Sequence, residues 1–125
     1  MDEERVRQFE EEQKKINKAQ VKFRRASADV AGAFMNMWRA TKQPSAIPAK
    51  YKELAQLAIV LVQHCRPCVK LHVKICVQTG CSRAEIMDAA NIALAMGGGA
   101  VYEYIGYLIE ALDVYLPEER RQGAV

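Results

Sequence analysis

The spacing of apolar residues restricts this chain to helical folds. Apolar residues recur at intervals of three and four along almost the whole sequence, and no segment alternates apolar and polar residues with a period of two. The first spacing gives a helix one apolar face, whereas a half-buried strand needs the second. We therefore expect an all-α protein, a bundle of about six helices.

Proline, glycine and capping residues set the expected helix boundaries. Ser82-Arg-Ala-Glu85 is a capping box, Gly80 is a typical helix-ending residue, and Pro67 is tolerated in the first turn of a helix. The predicted helices cover about residues 3–24, a second segment that ends near Thr41, and then residues 48–63, 65–80, 82–96 and 100–116.

A chain of 125 residues has the length of one domain. We expect residues 1–25 to form a charged N-terminal helix of that domain, residues 26–116 to form its main helical part, and residues 117–125 to form a flexible tail. No repeat or linker divides the chain further.

The charge pattern argues against nucleic acid and membrane partners. The net charge is only +3, and the basic residues of the first helix alternate with acidic ones. The first residues, Met-Asp-Glu-Glu, do not resemble a secretory signal peptide, and no apolar run has the length of a membrane span. We expect a cytoplasmic protein that binds neither nucleic acid nor membrane.

Cys65 and Cys68 are the strongest candidates for chemistry. In a reducing compartment, a Cys-x-x-Cys pair is more often catalytic or metal-binding than structural. Both cysteines lie where a helix is predicted to begin, and the partial positive charge there favours the thiolate. His72 follows Cys68 by four residues, so its imidazole can exchange a proton with that thiol. Two intervening residues also allow the pair to close to a disulfide.

Glu53 is the available carboxylate to orient His72 and accept its proton, because it lies on the preceding helix of an apolar hairpin. From the pattern alone, a solvated glutamate paired with Lys50 or Lys52 is the simpler interpretation.

A zinc site is the main alternative for the cysteines. Cys65, Cys68 and His72 have zinc-like spacing, Cys76 follows on the same helix face, and His64 could complete the set. Otherwise Cys76 and Cys81 are expected to be small buried residues with no role in chemistry. The tyrosines of the last helix are expected in the core or in subunit contacts, or at the entrance of the site.

Four residues form a specific pattern: Glu53, then Cys65 after eleven residues, Cys68 after two more, and His72 after a further three. It resembles the core motif of the AhpD-like alkylhydroperoxidases, within the carboxymuconolactone decarboxylase superfamily. The resemblance extends from about Phe34 to Leu112, and it includes the glycines at 97–99.

That resemblance implies an AhpD-like helical bundle that assembles into trimers or hexamers. It implies reduction of hydroperoxides and a dithiol reductant such as a lipoylated protein. We expect a dithiol oxidoreductase that acts on a hydroperoxide or on a partner's disulfide, with no metal or other cofactor. By the same likeness Cys68 is the peroxide-reactive sulfur, Cys65 is the resolving partner, and Glu53 and His72 relay protons. The chain departs from the well-known members at one position between the cysteines, where they have a histidine and this sequence has Pro67.

Two other functions are left open. The superfamily name suggests a carboxymuconolactone decarboxylase-type lyase, although its decarboxylase members lack the cysteine pair. A non-enzymatic, zinc-binding oligomer is the second.

Overall fold

The computed structural model describes residues 3–116, so the predicted tail at 117–125 lies outside the described residues. Six α-helices form: α1 (Glu3–Ala26), α2 (Ala28–Lys42), α3 (Ala49–Val62), α4 (Arg66–Gln78), α5 (Arg83–Gly97) and α6 (Gly99–Tyr115). No strand occurs within that range, and the prediction of an all-α fold is confirmed. None of these helices combines the length and the apolar character that a membrane span requires.

The described residues form two compact units, divided between Gln43 and Pro44. In the first unit α1 contacts α2. The 3-and-4 spacing of apolar residues predicts a packed seam along α1, but only Phe9 is buried there, while Phe23 is exposed. The predicted boundaries at residues 25 and 116 stay predictions.

The second unit contains α3, α4, α5 and α6. Helix α3 packs against the other three, and α4 also packs against α6. The core consists of aliphatic side chains with no exposed surface, contributed by all four helices: Leu57, Leu61, Val69, Val73, Ile86, Leu108 and Leu112. Burying one such side chain contributes about 1.5–3 kcal/mol, so this core fixes how α3 and α4 pack.

The connection between α3 and α4 is very short because one motif ends α3 and begins α4. The backbone N–H of His64 donates to the carbonyl of Leu61 at 3.2 Å, and that of Cys65 donates to the carbonyl of Val60 at 3.3 Å. This pair of bonds is a Schellman motif, which needs a left-handed residue just after the helix. Here that residue is His64, with φ of 57°. Cys65 is then the N-cap residue of α4.

The connection between α4 and α5 repeats this arrangement with a glycine. Gly80 has φ of 91°, and the N–H of Cys81 donates to the carbonyl of Cys76 at 2.9 Å. The capping box predicted at Ser82 and Glu85 follows directly and is confirmed, with both reciprocal hydrogen bonds present. Of the three glycines at 97–99, only Gly98 lies outside a helix, with φ of 74°.

Candidate active site

Cys65 and Cys68 form a disulfide at the start of α4, and their Cα atoms are 5.2 Å apart. Both residues are half-buried. Cys65 is the N-cap residue of α4, with no capping hydrogen bond from its side chain, and Cys68 lies in the first turn of the helix, two residues after Arg66. Because the N–H groups of a helix start point toward such positions, a thiolate released here by reduction is stabilised relative to the thiol.

His72 lies one turn further along α4, and its side chain is buried, with 7% of its surface exposed. Glu53, on α3, is only 3% exposed, so the solvated glutamate that the pattern alone favoured is wrong. A buried carboxylate is unfavourable without polar or charged partners, and Glu53 and His72 both have polar or charged interactions. Their contact with each other stays a prediction.

The lysines near Glu53 have other partners. Lys50 pairs with Glu85 of α5 at 2.9 Å, and Lys52 donates to the hydroxyl of Ser45 at 2.9 Å. The hydrogen bond that Lys50 donates to the Glu85 carboxylate is the main reason that the pKa of Lys50 is raised. Sequence reasoning could not choose these partners, because several acids lie within reach of each lysine in an unfolded chain.

Two residues beside Cys65 are held against aromatic rings of α6. The imidazole of His64 stacks on Tyr104, with ring centroids 5.0 Å apart and planes inclined by 25°. The guanidinium of Arg66 lies 4.6 Å from the ring centroid of Tyr107, and Tyr104 and Tyr107 meet edge to face at 5.3 Å. We refer to these four residues as the aromatic clamp.

The aromatic clamp was not predicted from the sequence as a unit. The tyrosines were expected in the core, in subunit contacts or at the site entrance, and no role was expected of Arg66. The available signal was the spacing of Tyr104 and Tyr107, which are three residues apart on one helix face. A second residue that was not predicted from the sequence is Lys70, which is buried on α4 although lysine is usually exposed.

Cys76 and Cys81 lie outside the disulfide and have no exposed surface, so the expectation that they are buried is confirmed. Burial raises the pKa of the Cys81 thiol. Within residues 3–116, no three or more His, Cys, Asp and Glu side chains are grouped closely enough to hold a metal ion.

The match to a known protein family includes Glu53, His72 and both cysteines of the disulfide. Residues 28–105 match the Carboxymuconolactone decarboxylase family. A solved member of that family from Legionella pneumophila is 25% identical, with a TM-score of 0.83, and the alignment covers 88% of this chain and 98% of that one.

Two further relatives are similar over most of their length. A family protein from Thermotoga maritima, for which an involvement in the antioxidative response has been suggested, is 30% identical with a TM-score of 0.67; the match covers 84% of this chain and 95% of that one. An uncharacterised protein of the cox locus of Paracoccus denitrificans is 29% identical over 89 residues, which are 71% of this chain and 80% of that protein.

Proposed function

The chain belongs to the carboxymuconolactone decarboxylase family, and from this premise we propose that it is a dithiol–disulfide oxidoreductase that reduces hydroperoxides or a partner's disulfide. The observation that carries the proposal is the Cys65–Cys68 disulfide at the start of α4. The suggested antioxidative role of the Thermotoga maritima relative supports it. A lyase would have no evident use for this disulfide.

The peroxide reaction begins from the reduced pair. The thiolate of Cys68 attacks the terminal oxygen of a hydroperoxide ROOH, the O–O bond breaks, and the products are a Cys68 sulfenic acid and, after one proton is supplied, the alcohol ROH. The thiol of Cys65 then attacks the sulfenic sulfur, which forms the disulfide and releases water. Peroxide is thereby reduced by two electrons, and the dithiol is oxidised by two.

His72 and Glu53 handle protons in this cycle. In our proposal the imidazole takes the proton of the Cys68 thiol and later gives a proton to the leaving alkoxide, while Glu53 orients the ring and stabilises its charged form. The burial of both residues supports this role, because charges separated from water interact more strongly.

A dithiol reductant completes the cycle. Its thiolate attacks the sulfur of Cys65, Cys68 leaves as the thiolate, and the second thiol of the reductant displaces Cys65 from the mixed disulfide. We propose a lipoylated protein as this reductant, because dihydrolipoyl groups carry two neighbouring thiols. The same steps run in reverse would let the dithiol reduce a disulfide of a partner protein.

Mass spectrometry after differential alkylation tests the cycle. Trypsin does not cleave before Pro67, so Cys65 and Cys68 stay together in the peptide 53–70. We expect this peptide to lose two hydrogen masses after one equivalent of cumene hydroperoxide, and to regain them with dihydrolipoamide.

Cys65→Ser is the matched control, since it leaves Cys68 to form a sulfenic acid that cannot be resolved within the pair and that dimedone traps. Thiols of the wild-type protein that remain fully alkylatable after peroxide treatment would contradict the peroxidase activity. If the reduced pair nevertheless reduces a model protein disulfide, disulfide exchange would be the remaining activity of the two proposed.

A further inference from the structure

Cys76 and Cys81 lie at the end of α4, away from the disulfide at its start, and the reaction proposed above does not use them. Cys76 is eight residues beyond Cys68, which is about 12 Å along the helix axis. The Schellman motif at Gly80 turns the chain so that its first and last residues make a side-chain contact. In this protein those two positions are Cys76 and Cys81, and the hydrogen bond between their thiols acts to lower the pKa of Cys81.

The backbone meets the distance requirement for a disulfide between them. The N–H of Cys81 lies 2.9 Å from the carbonyl oxygen of Cys76. Since the nitrogen is about 1.5 Å and the oxygen about 2.4 Å from its own Cα, the two Cα atoms are at most about 7 Å apart, the limit within which a disulfide closes without backbone movement. Gly80 supplies the left-handed φ of 91° on which this turn depends.

The surroundings explain why this pair would react more slowly than Cys65 and Cys68. Both thiols are fully buried, and the Cys81 sulfur lies 3.9 Å from the carbonyl oxygen of Lys50. Burial raises the pKa of the Cys81 thiol, and this effect outweighs the hydrogen bond with Cys76, which lowers it. A thiol with a raised pKa has less of the nucleophilic thiolate, so oxidation awaits local opening at the α4–α5 connection.

We propose that Cys76 and Cys81 are a second redox-active pair, which a hydroperoxide oxidises to an intrachain disulfide. One thiol reacts with ROOH to give a sulfenic acid and ROH, and the other thiol displaces water from the sulfenic sulfur. Two thiols lose two electrons, and the hydroperoxide gains them. This reaction needs neither Cys65 nor Cys68, so it is independent of the function proposed above.

Tryptic digestion separates the two pairs cleanly. Cleavage after Lys74 and Arg83 places Cys76 and Cys81 together in the peptide 75–83, while the other pair lies in 53–70. The experiment exposes the double variant Cys65→Ser, Cys68→Ser to excess cumene hydroperoxide overnight, with alkylation after unfolding. The wild-type protein, treated in parallel, gives the same readout on the same peptide should the double variant not fold.

We expect peptide 75–83 to lose two hydrogen masses and to escape alkylation, and we expect dithiothreitol to reverse both changes. Its disulfide should form more slowly than the disulfide of peptide 53–70 in the wild-type protein. In the matched control Cys76→Ser, this change cannot occur. The proposal is overturned if both cysteines of 75–83 are still alkylated after overnight oxidation, or if either one is linked to a different peptide.

Discussion

Single side chains divide the proposed chemistry between two sulfur atoms and two groups that move protons. In our proposal Cys68 owes its reactivity to the helix start and to His72, whereas the backbone of the preceding turn positions Cys65. His64 adopts a left-handed conformation that residues other than glycine rarely adopt. Such conformations persist where surrounding contacts hold them, and the stack on Tyr104 is such a contact.

Replacing His72 tests the proton relay. We expect His72→Asn to slow the oxidation of the dithiol by hydroperoxide about a hundredfold, because the thiol loses its nearby base. Stopped-flow kinetics over a range of pH measures this, and the titration of the imidazole should vanish from the profile. Gln78→Asn, at the exposed far end of α4, is the control that should react at the wild-type rate. An unaltered rate in His72→Asn would exclude the relay.

The stack of His64 on Tyr104 should contribute measurably to stability. We expect Tyr104→Leu to lower the free energy of unfolding by about 1 kcal/mol more in the wild-type protein than in His64→Gly. Only the wild-type protein has the imidazole on which the Tyr104 ring stacks. Urea denaturation of the four proteins in this cycle gives the coupling free energy.

Tyr102→Leu is the matched control on the same helix. Tyr102 is exposed, so its replacement should give no coupling with His64→Gly. If the effects of Tyr104→Leu and His64→Gly simply add, the stack does not hold the left-handed turn.

Helix ends, more than helix interiors, position the site. Two Schellman motifs connect α3 to α4 and α4 to α5, so that the chain turns within a few residues at each end of α4. The first motif presents Cys65 at the start of α4, and the second brings Cys81 against Cys76 and leads into the capping box of α5. Each cysteine pair thus lies at one end of the same helix.

The capping box should stabilise the start of α5. The Ser82 hydroxyl accepts a hydrogen bond from the N–H of Glu85 at 3.1 Å, so we expect Ser82→Ala to lower the free energy of unfolding by about 1 kcal/mol. Urea denaturation measures it, with Ser82→Asp as the control that retains an acceptor. Equal losses in the two variants would mean that the hydrogen bond is not responsible.

Glu85, the other residue of the capping box, should make a pH-dependent contribution to stability. The hydrogen bond from the Ser82 N–H, followed by that from Lys50, lowers the pKa of this carboxyl below its ordinary value. A lowered pKa in the folded state means stability that is present above the ordinary glutamate pKa and is lost as pH falls through the lowered one. We expect Glu85→Gln to be less stable than the wild type at neutral pH, with the difference shrinking in acid. A difference that is constant with pH would contradict this.

The complete molecule is, in our proposal, a homo-oligomer, a trimer or hexamer as the family resemblance implies. The second unit exposes pairs of large apolar residues that follow helical spacing: Ile59 and Val62 on α3, and Ile92 and Met96 on α5. Assembly would remove such surface from water, and each apolar square ångström contributes about 25 cal/mol.

A charge on α5 should weaken that assembly. Met96 is 81% exposed, so Met96→Lys should leave the fold of one chain intact while lowering the sedimentation coefficient at micromolar concentration. Asn91→Lys adds the same charge at an exposed polar position of α5 and should sediment like the wild type. A wild-type protein that sediments as a monomer would refute the oligomer, and a variant that sediments as the wild type would place the interface elsewhere.

What the sequence determined by itself is mainly local. The 3-and-4 spacing, the capping box and Gly80 predict the helices and several of their ends, because these features act between residues within one turn of each other. The same locality places Cys65 and Cys68 at a helix start and His72 one turn beyond it. Helix α1 shows the limit, since the spacing of its apolar residues describes a face but not what covers it.

The tertiary structure decided which distant side chains share an environment. The burial of Glu53, the pairing of Lys50 with Glu85, and the stacking of His64 on Tyr104 join different helices. Pattern alone made Glu53 a solvated residue, and only the family motif pointed otherwise. Such contacts depend on how helices of the second unit pack, which is a property of the whole core and of no single segment.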